Sequence, residues 1–249
     1  MNPVVETILS HRSIRDFEEK KLTKEQIETI IRCAQAASTS SFLQAYSIIG
    51  VTDEEKKARL AEIASNQRHV AKNGHLFVFC ADLYRHRIAF EMEGEQAVKN
   101  LESTELFMVA LIDAALAAQN AALAAESMGL GICYIGSLRN DLEEVSRILD
   151  LPDFVLPLFG LTVGYPAKIN EQKPRLALEH IYHENGYEKD KNKYIEQLRA
   201  YNETVRSYYR KRTGGLRADT WTGQAVKTLM KNERLYVHDY IKKKGFNKI

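Results

Sequence analysis

The sequence predicts an α+β protein in which helices cluster around a small sheet and a polar helical extension follows. Three observations carry this. Short apolar runs at Tyr46–Val51, Leu76–Ala81, Gly131–Ile135 and Val155–Val163 have the length and composition of buried strands. Helical stretches precede, separate and follow these runs in an order that suits an α+β core. After Pro166 the pattern changes to loops and then to two polar helices, with no repeat period or low-complexity linker.

The elements follow in order. Asn2 before Pro3 combines a favourable N-cap with a proline at the first helical position, starting a short helix toward Leu9. Thr23-Lys24-Glu25-Gln26 is a capping box, and Ile27, Ile30 and Ile31 continue an apolar stripe to about Ala37. The hydroxyl run Ser38-Thr39-Ser40-Ser41 then ends that helix in a loop. Glu54–Ala64 reads as a charged amphipathic helix between the first two strands. The alanine-rich stretch Phe107–Ala125 holds Asp113, Gln119 and Asn120, which are costly at a bilayer centre, so it is expected to be a core helix. It ends near Gly129 and Gly131, both suited to a C-cap. A further helix is expected from about Asp141 to Leu149, and the polar helices around Lys191–Tyr208 and Gly223–Lys243.

A chain of 249 residues buries roughly 70–75% of its unfolded surface, so neither disulfides nor metal are needed for a core. The net charge of +2 excludes a strongly basic nucleic-acid-coating protein. That total hides a split: from Tyr187 onward there are 16 Lys/Arg against 7 Asp/Glu, and before it 19 against 26. The basic last quarter suits an anionic partner or an acidic body, and composition fits solvated helix faces equally well. Cys33, Cys80 and Cys133 are too widely spaced for a disulfide framework, and the first residues resemble no signal peptide. A cytoplasmic protein without membrane attachment is expected.

Several catalytic constellations are absent from the sequence. His180-Ile181-Tyr182-His183-Glu184 has the wrong order for a zinc protease, and no metal is expected. There is no G-x-S-x-G elbow, the run Gly131–Ser137 lacks the lysine of a P-loop, and Gly129-Leu130-Gly131 is not a dinucleotide fingerprint. What remains is suited to an anionic, aromatic cofactor. His11-Arg12-Ser13-Ile14-Arg15 puts two guanidinium groups and a hydroxyl within five residues, and Lys173-Pro174-Arg175 adds an extended cationic pair.

Read together, these segments resemble a known family. His11–Arg15, Ala37–Gln44, Leu130–Gly136, Lys173-Pro174-Arg175-Leu176 and Asp219-Thr220-Trp221 stand in one order over essentially the whole chain. Together they resemble the oxygen-insensitive NADPH nitroreductase and NADPH–flavin oxidoreductase group of the nitroreductase superfamily. The resemblance implies a single nitroreductase-like domain over 1–249, with a small central mixed sheet and an arm of about 187–249 that contacts a partner subunit and NADPH. It implies a homodimer with one tightly bound, non-covalent FMN per subunit at the interface.

By the same resemblance His11, Arg12, Ser13, Arg15, Lys173 and Arg175 hold the ribityl phosphate and neighbouring polar groups. Ser38, Thr39 and Ser40 line the flavin, Gln67 bonds the isoalloxazine edge, and Tyr134, Ile135, Gly136 and Ser137 pass beside N5. Thr39, Ser137 and Ser65-Asn66 depart from the usual serine, glycine and glycine. Arg210-Lys211-Arg212 and Arg217 resemble the segment that meets the 2′-phosphate of NADPH, with Arg212 and Arg217 foremost, and a mobile Arg-rich loop is expected there. The implied reaction is two-electron, ping-pong hydride transfer from NADPH through FMN to nitroaromatics, quinones or free flavin, with no catalytic side chain. The alternative is a non-enzymatic helical protein whose basic arm binds nucleic acid. It predicts affinity that falls steeply with salt, but the arm's 7 acidic residues and lack of a docking motif weigh against it.

Overall fold

Four strands form one sheet in the order β1-β2-β4-β3: β1 (Tyr46–Val51), β2 (His75–Asp82), β3 (Gly131–Ile135) and β4 (Val155–Gly164). The computed structural model describes residues 2–96, 98–231 and 234–249. The chain divides into two compact units, Met1–Asn170 with Arg234–Ile249, and Glu171–Glu233. All three strand pairings are antiparallel. This corrects the expected mixed sheet: among the described residues, parallel pairing is confined to the single bridge between Ser13 and Ile132. The β2–β4 register shifts between Phe79 and Cys80, which face Phe159 and Pro157. Pro157 has no N–H to give to a ladder, so an irregularity there is expected.

Helices cover both faces of the sheet in the first unit. They are α1 (Pro3–Leu9), α2 (Lys24–Gln35), α3 (Glu54–Ile63), α4 (Arg68–Ala71), α5 (Tyr84–Met92), α6 (Val98–Leu101), α7 (Thr104–Ser127) and α8 (Leu142–Ile148). All eight β2 residues are buried, so its side chains alternate between two cores rather than between core and water. Phe77, Phe79 and Ala81 meet Ile30 and Ala34 of α2 and the alanines of α7. Leu76, Val78 and Cys80 meet Leu60 of α3 and Val145 and Ile148 of α8. α7 is long and apolar enough to cross a bilayer, yet Ala110, Ala114, Ala117, Ala121 and Ala125 are buried in the first of these cores.

The expected caps form. Asn2 accepts from Val4 N at 2.8 Å, and Thr23 and Gln26 bond reciprocally at the start of α2. Gly129 takes φ +75° after α7, but Gly131 opens β3 instead of capping the helix. Ile14 explains Gly131, because a Cβ there would stand 2.7 Å from Ile14 Cγ1. The short helices α4, α5 and α6 leave no clear signal in the sequence. α5 has no buried residue, so it carries little apolar periodicity.

The second unit contains α9 (Lys191–Arg212) and α10 (Trp221–Met230). The expected helix over 223–243 is two: α10 ends at Met230, and α11 (Val237–Lys243) belongs to the segment that rejoins the first unit. Asn232 and Glu233, inside that expected helix, lie outside the described residues. In the returning segment Phe246 is fully buried, and the Lys244 ammonium donates to the carbonyls of Leu151 and Pro152 at 3.0 and 2.6 Å.

Candidate functional site

The cationic segment His11–Arg15 is laid along the free edge of β3. Ile14 N donates to Ile132 O at 2.8 Å, and buried Ile14 anchors the segment against Gly131. His11 Nδ1 lies 2.7 Å from Glu126 Oε1 near the end of α7. Arg12 is half-buried, and its Nε donates to Ser10 O at 3.0 Å. Ser13 reaches the Cys133 thiol, which burial pushes up and the nearby Arg15 charge pulls down. The same Arg15 charge, after burial, holds the His69 imidazole below its ordinary value. Arg15 therefore stands near both β3 and α4.

A second group forms where two loops meet. Gln67 is the N-cap residue of α4, but its side chain makes no cap bond. Its Nε2 instead donates to Ser137 Oγ at 2.8 Å. The turn before it holds Ser65 and Asn66 at φ +62° and +57°. For a non-glycine residue this region costs roughly 1–2 kcal/mol, less for Asn. The turn is held despite that cost: Asn140 Nδ2 donates to Ile63 O at 2.8 Å and to Ser65 Oγ at 3.1 Å. On the other side, Ile135 is buried and Tyr134 is partly exposed, with its ring edge-on to Phe159 at 5.6 Å. Burial and the Glu126 carboxylate raise the Tyr134 phenol, so it stays protonated. The backbone at Gly136 passes close to Arg139, whose Nη2 would stand 3.0 Å from an added Cβ.

Ser38, Thr39 and Ser40 lie in the loop after α2, and Ser40–Phe42 form a 3-10 turn. Asp113 stands out in the sequence only as a polar residue in an apolar helix. It is fully buried and accepts from Ser40 N and Ala45 N, both at 3.0 Å. Those two bonds hold a loop whose Ser41, Phe42 and Gln44 all have positive φ. A lone acid in an alanine-rich stretch was the one available signal.

In the second unit Lys173 and Arg175 are extended, and Arg175 Nη1 folds back on Lys173 O at 3.0 Å. They border a groove of about 760 Å³ walled by Tyr201, Tyr208, Tyr209 and Trp221. Arg212 and Arg217 come together on one aromatic pair. Arg212 Nη1 donates to Tyr208 Oη at 3.0 Å, and Arg217 lies 4.4 Å over the Tyr209 ring while bonding Asp219 at 2.7 Å. The expected Arg-rich loop is corrected in part: Arg210, Lys211 and Arg212 form the last turn of α9, where their charge complements the helix dipole.

The residues fit a flavin mononucleotide. Among the described residues Arg12, Arg15, Lys173 and Arg175 make no ion pair with a carboxylate, and Arg12 and Arg15 stand on either side of the Ser13 hydroxyl. Unneutralised guanidinium groups beside a hydroxyl suit a dianionic phosphate.

The chain matches the model of the nitroreductase family over residues 8–165 and that of its C-terminal domain over residues 173–249. It is 56% identical over 248 residues to a Bacillus subtilis protein named FMN reductase (NADPH), covering 100% of each chain. Among solved structures, B. megaterium NfrA1 superposes with a TM-score of 0.98 at 60% identity, covering 99% of this chain and 100% of that one. The Vibrio harveyi NADPH:FMN oxidoreductase complexed with NAD+ superposes at 0.89 with 38% identity, covering all of both chains. With both family models matched and full-length relatives above half identity, the chain belongs to the nitroreductase family.

Proposed function

We propose that this chain is an FMN-containing, NADPH-dependent oxidoreductase that reduces nitroaromatics, quinones or free flavin. The observation that carries this reading is the pair Arg12 and Arg15 flanking Ser13 on the β3 edge, without an acidic partner among the described residues. His11, Arg12, Ser13 and Arg15, with Lys173 and Arg175, hold the phosphate and ribityl groups. Ser38, Thr39 and Ser40 line the flavin, Gln67 bonds its edge, and Tyr134, Ile135, Gly136 and Ser137 run beside N5. FMN held there would supply the two-electron hydride chemistry between NADPH and the acceptor.

The protein's own task is to bind donor and acceptor in turn over one flavin face at near-attack distance. No side chain is required as a nucleophile or general acid, and ping-pong kinetics follow. Arg212 and Arg217 meet the 2′-phosphate of NADPH, with Tyr208 and Tyr209 holding their side chains.

The subunits pair as a homodimer. Supporting this, α1 exposes Val4, Val5, Ile8 and Leu9, and α7 exposes Met108, Ile112 and Leu116 at four-residue intervals, one apolar helix face. The chain forms one functional domain over 1–249, with the arm of about 187–249 reaching the partner. It works in the cytoplasm, consistent with three free thiols at Cys33, Cys80 and Cys133.

The test is optical. The purified protein should be yellow, and NADPH should bleach its flavin band faster than NADH does. Arg15→Ala should weaken FMN retention roughly 10–100-fold, the equivalent of one charge-assisted hydrogen bond. Full flavin content in that variant would remove Arg15 from the phosphate site, and a wild-type protein that binds no flavin would end the reading.

A further inference from the structure

Four hydrogen bonds converge on one exposed amide, Asn140, at the end of the 3-10 turn Gly136–Asn140. Its Oδ1 accepts from Arg234 Nε at 3.0 Å and Nη2 at 2.7 Å. Its Nδ2 donates to Ile63 O at 2.8 Å and Ser65 Oγ at 3.1 Å. Arginine only donates and a carbonyl only accepts, so the amide orientation is dictated by its partners. The full capacity of the side chain is used.

The two loops joined here are those that carry Gln67 and Ser137. Arg234 Nη1 also reaches Gly136 O at 3.4 Å, and Tyr236 Oη donates to Arg139 O at 2.8 Å while accepting from Leu142 N at 2.9 Å. Arg234 and Tyr236 are among the first described residues after the second unit, so the returning chain clamps the loop that follows β3. Ser65 and Asn66 hold left-handed conformations; Ser65 N donates locally to Glu62 O at 3.0 Å, and Asn140 adds the long-range tie through Ile63 O and Ser65 Oγ.

We infer that Asn140 and Arg234 are positioning residues for hydride transfer: they lock the Ser65–Gln67 turn and the Gly136–Ser137 loop into one register. This rests on the reading above that Gln67 and Gly136–Ser137 border the flavin ring. Neither residue needs to touch the cofactor. Arginine is required at 234 because its planar fork puts two donors on one oxygen, which an ammonium cannot reproduce in the same geometry.

The test uses the full-length protein and the variants Asn140→Asp and Arg234→Lys. Lys243→Ala serves as a control, since its exposed pair with Glu143 lies elsewhere on the returning segment. Asn140→Asp keeps the size and the contact to Arg234 but turns an acceptor toward Ile63 O. Amide hydrogen exchange on the flavin-free protein reads the loops directly, with segments 63–67 and 136–140 exchanging roughly tenfold faster in both variants but not in the control.

In the flavin-loaded protein, the limiting rate of flavin reduction by NADPH should fall about tenfold, with the apparent Kd for NADPH within about twofold of wild type. Exchange and limiting rate both unchanged in folded variants would overturn the inference. A parallel loss of NADPH affinity instead of rate would overturn it as well. Should Asn140→Asp fail to fold, Ser65→Ala removes one of the four bonds and must show the same direction of change. A wild-type protein that takes up no FMN would refute the cofactor reading instead, leaving the exchange result to judge the brace by itself.

Discussion

Gln67 Nε2 donates to Ser137 Oγ at 2.8 Å, closing the gap between the turn that leads into α4 and the loop that leaves β3. The bond is partly buried and uses a hydroxyl that a glycine at 137 would lack. Ser137→Ala should cost about 1 kcal/mol of stability, the usual net value for such a bond. The absorbance band of bound FMN should shift at the same time, because the Gln67 amide is released. Urea denaturation and a visible spectrum check both; an unmoved spectrum would show that this bond does not set the flavin's surroundings.

Asp113 holds its loop with two backbone N–H groups from inside the core. Asp113→Ala leaves Ser40 N and Ala45 N without their acceptor and opens a small hole under the loop. The loss should be about 2–4 kcal/mol, since hydrogen bonds to a charged group are the stronger kind and unpaired buried donors are costly. The midpoint of denaturant unfolding reads it. A fall below 1 kcal/mol would mean that the strained Ser41–Gln44 backbone is held by other contacts.

Arg217 is stacked on Tyr209 and bonded to Asp219, so its guanidinium is held in place before a ligand arrives. Arg212→Ala and Arg217→Ala should raise the KM for NADPH by roughly tenfold or more while moving that for NADH little. Asp219→Asn should loosen Arg217 and raise the NADPH KM less. Steady-state kinetics with both nucleotides decide the matter, and equal changes for the two would exclude a role at the 2′-phosphate.

His75 brings a pH dependence. It is buried on β2 with its ring 4.3 Å from Phe77, and burial, aided by the Lys57 charge, pushes its imidazole down to about 4. The unfolded chain binds a proton near pH 6.5, whereas the folded chain resists it until about 4. Between those values the unfolded state holds more protons, so stability falls as pH drops from about 6.5 toward 4. The full effect is on the order of 3 kcal/mol at 1.36 kcal/mol per pH unit. Unfolding free energies measured at pH 7, 5.5 and 4.5 should show this slope, and His75→Gln should flatten it. An identical slope in that variant would assign the acid sensitivity to other groups.

Much of this protein is written in local sequence. The strands β1 and β3 lie where their apolar runs stand, and the Asn2, Thr23 and Asp141 caps form because each needs only residues two or three positions away. The segments proposed to hold the cofactor stand out for a similar reason: clustered guanidinium and hydroxyl groups carry their chemistry with them, and their order along the chain resembles a known family. Contacts between distant segments were not legible. Asn140 meeting Ser65, Ile63 and Arg234, or Asp113 holding Ser40 and Ala45, joins positions 68 to 94 residues apart. Nothing in local composition distinguishes such an asparagine or aspartate from one facing water.

The antiparallel sheet and the break between α10 and α11 belong to the same class, since strand direction and helix ends in polar segments are settled by what packs on them. By itself the sequence determined the four strands, the capped helices and the charged and hydroxyl groups available to a site, because propensity, capping and charge are short-range. Only the tertiary structure decided which loops that chemistry is tied to, because ties such as Asn140 to Ile63 and Ser65 join segments far apart in the chain.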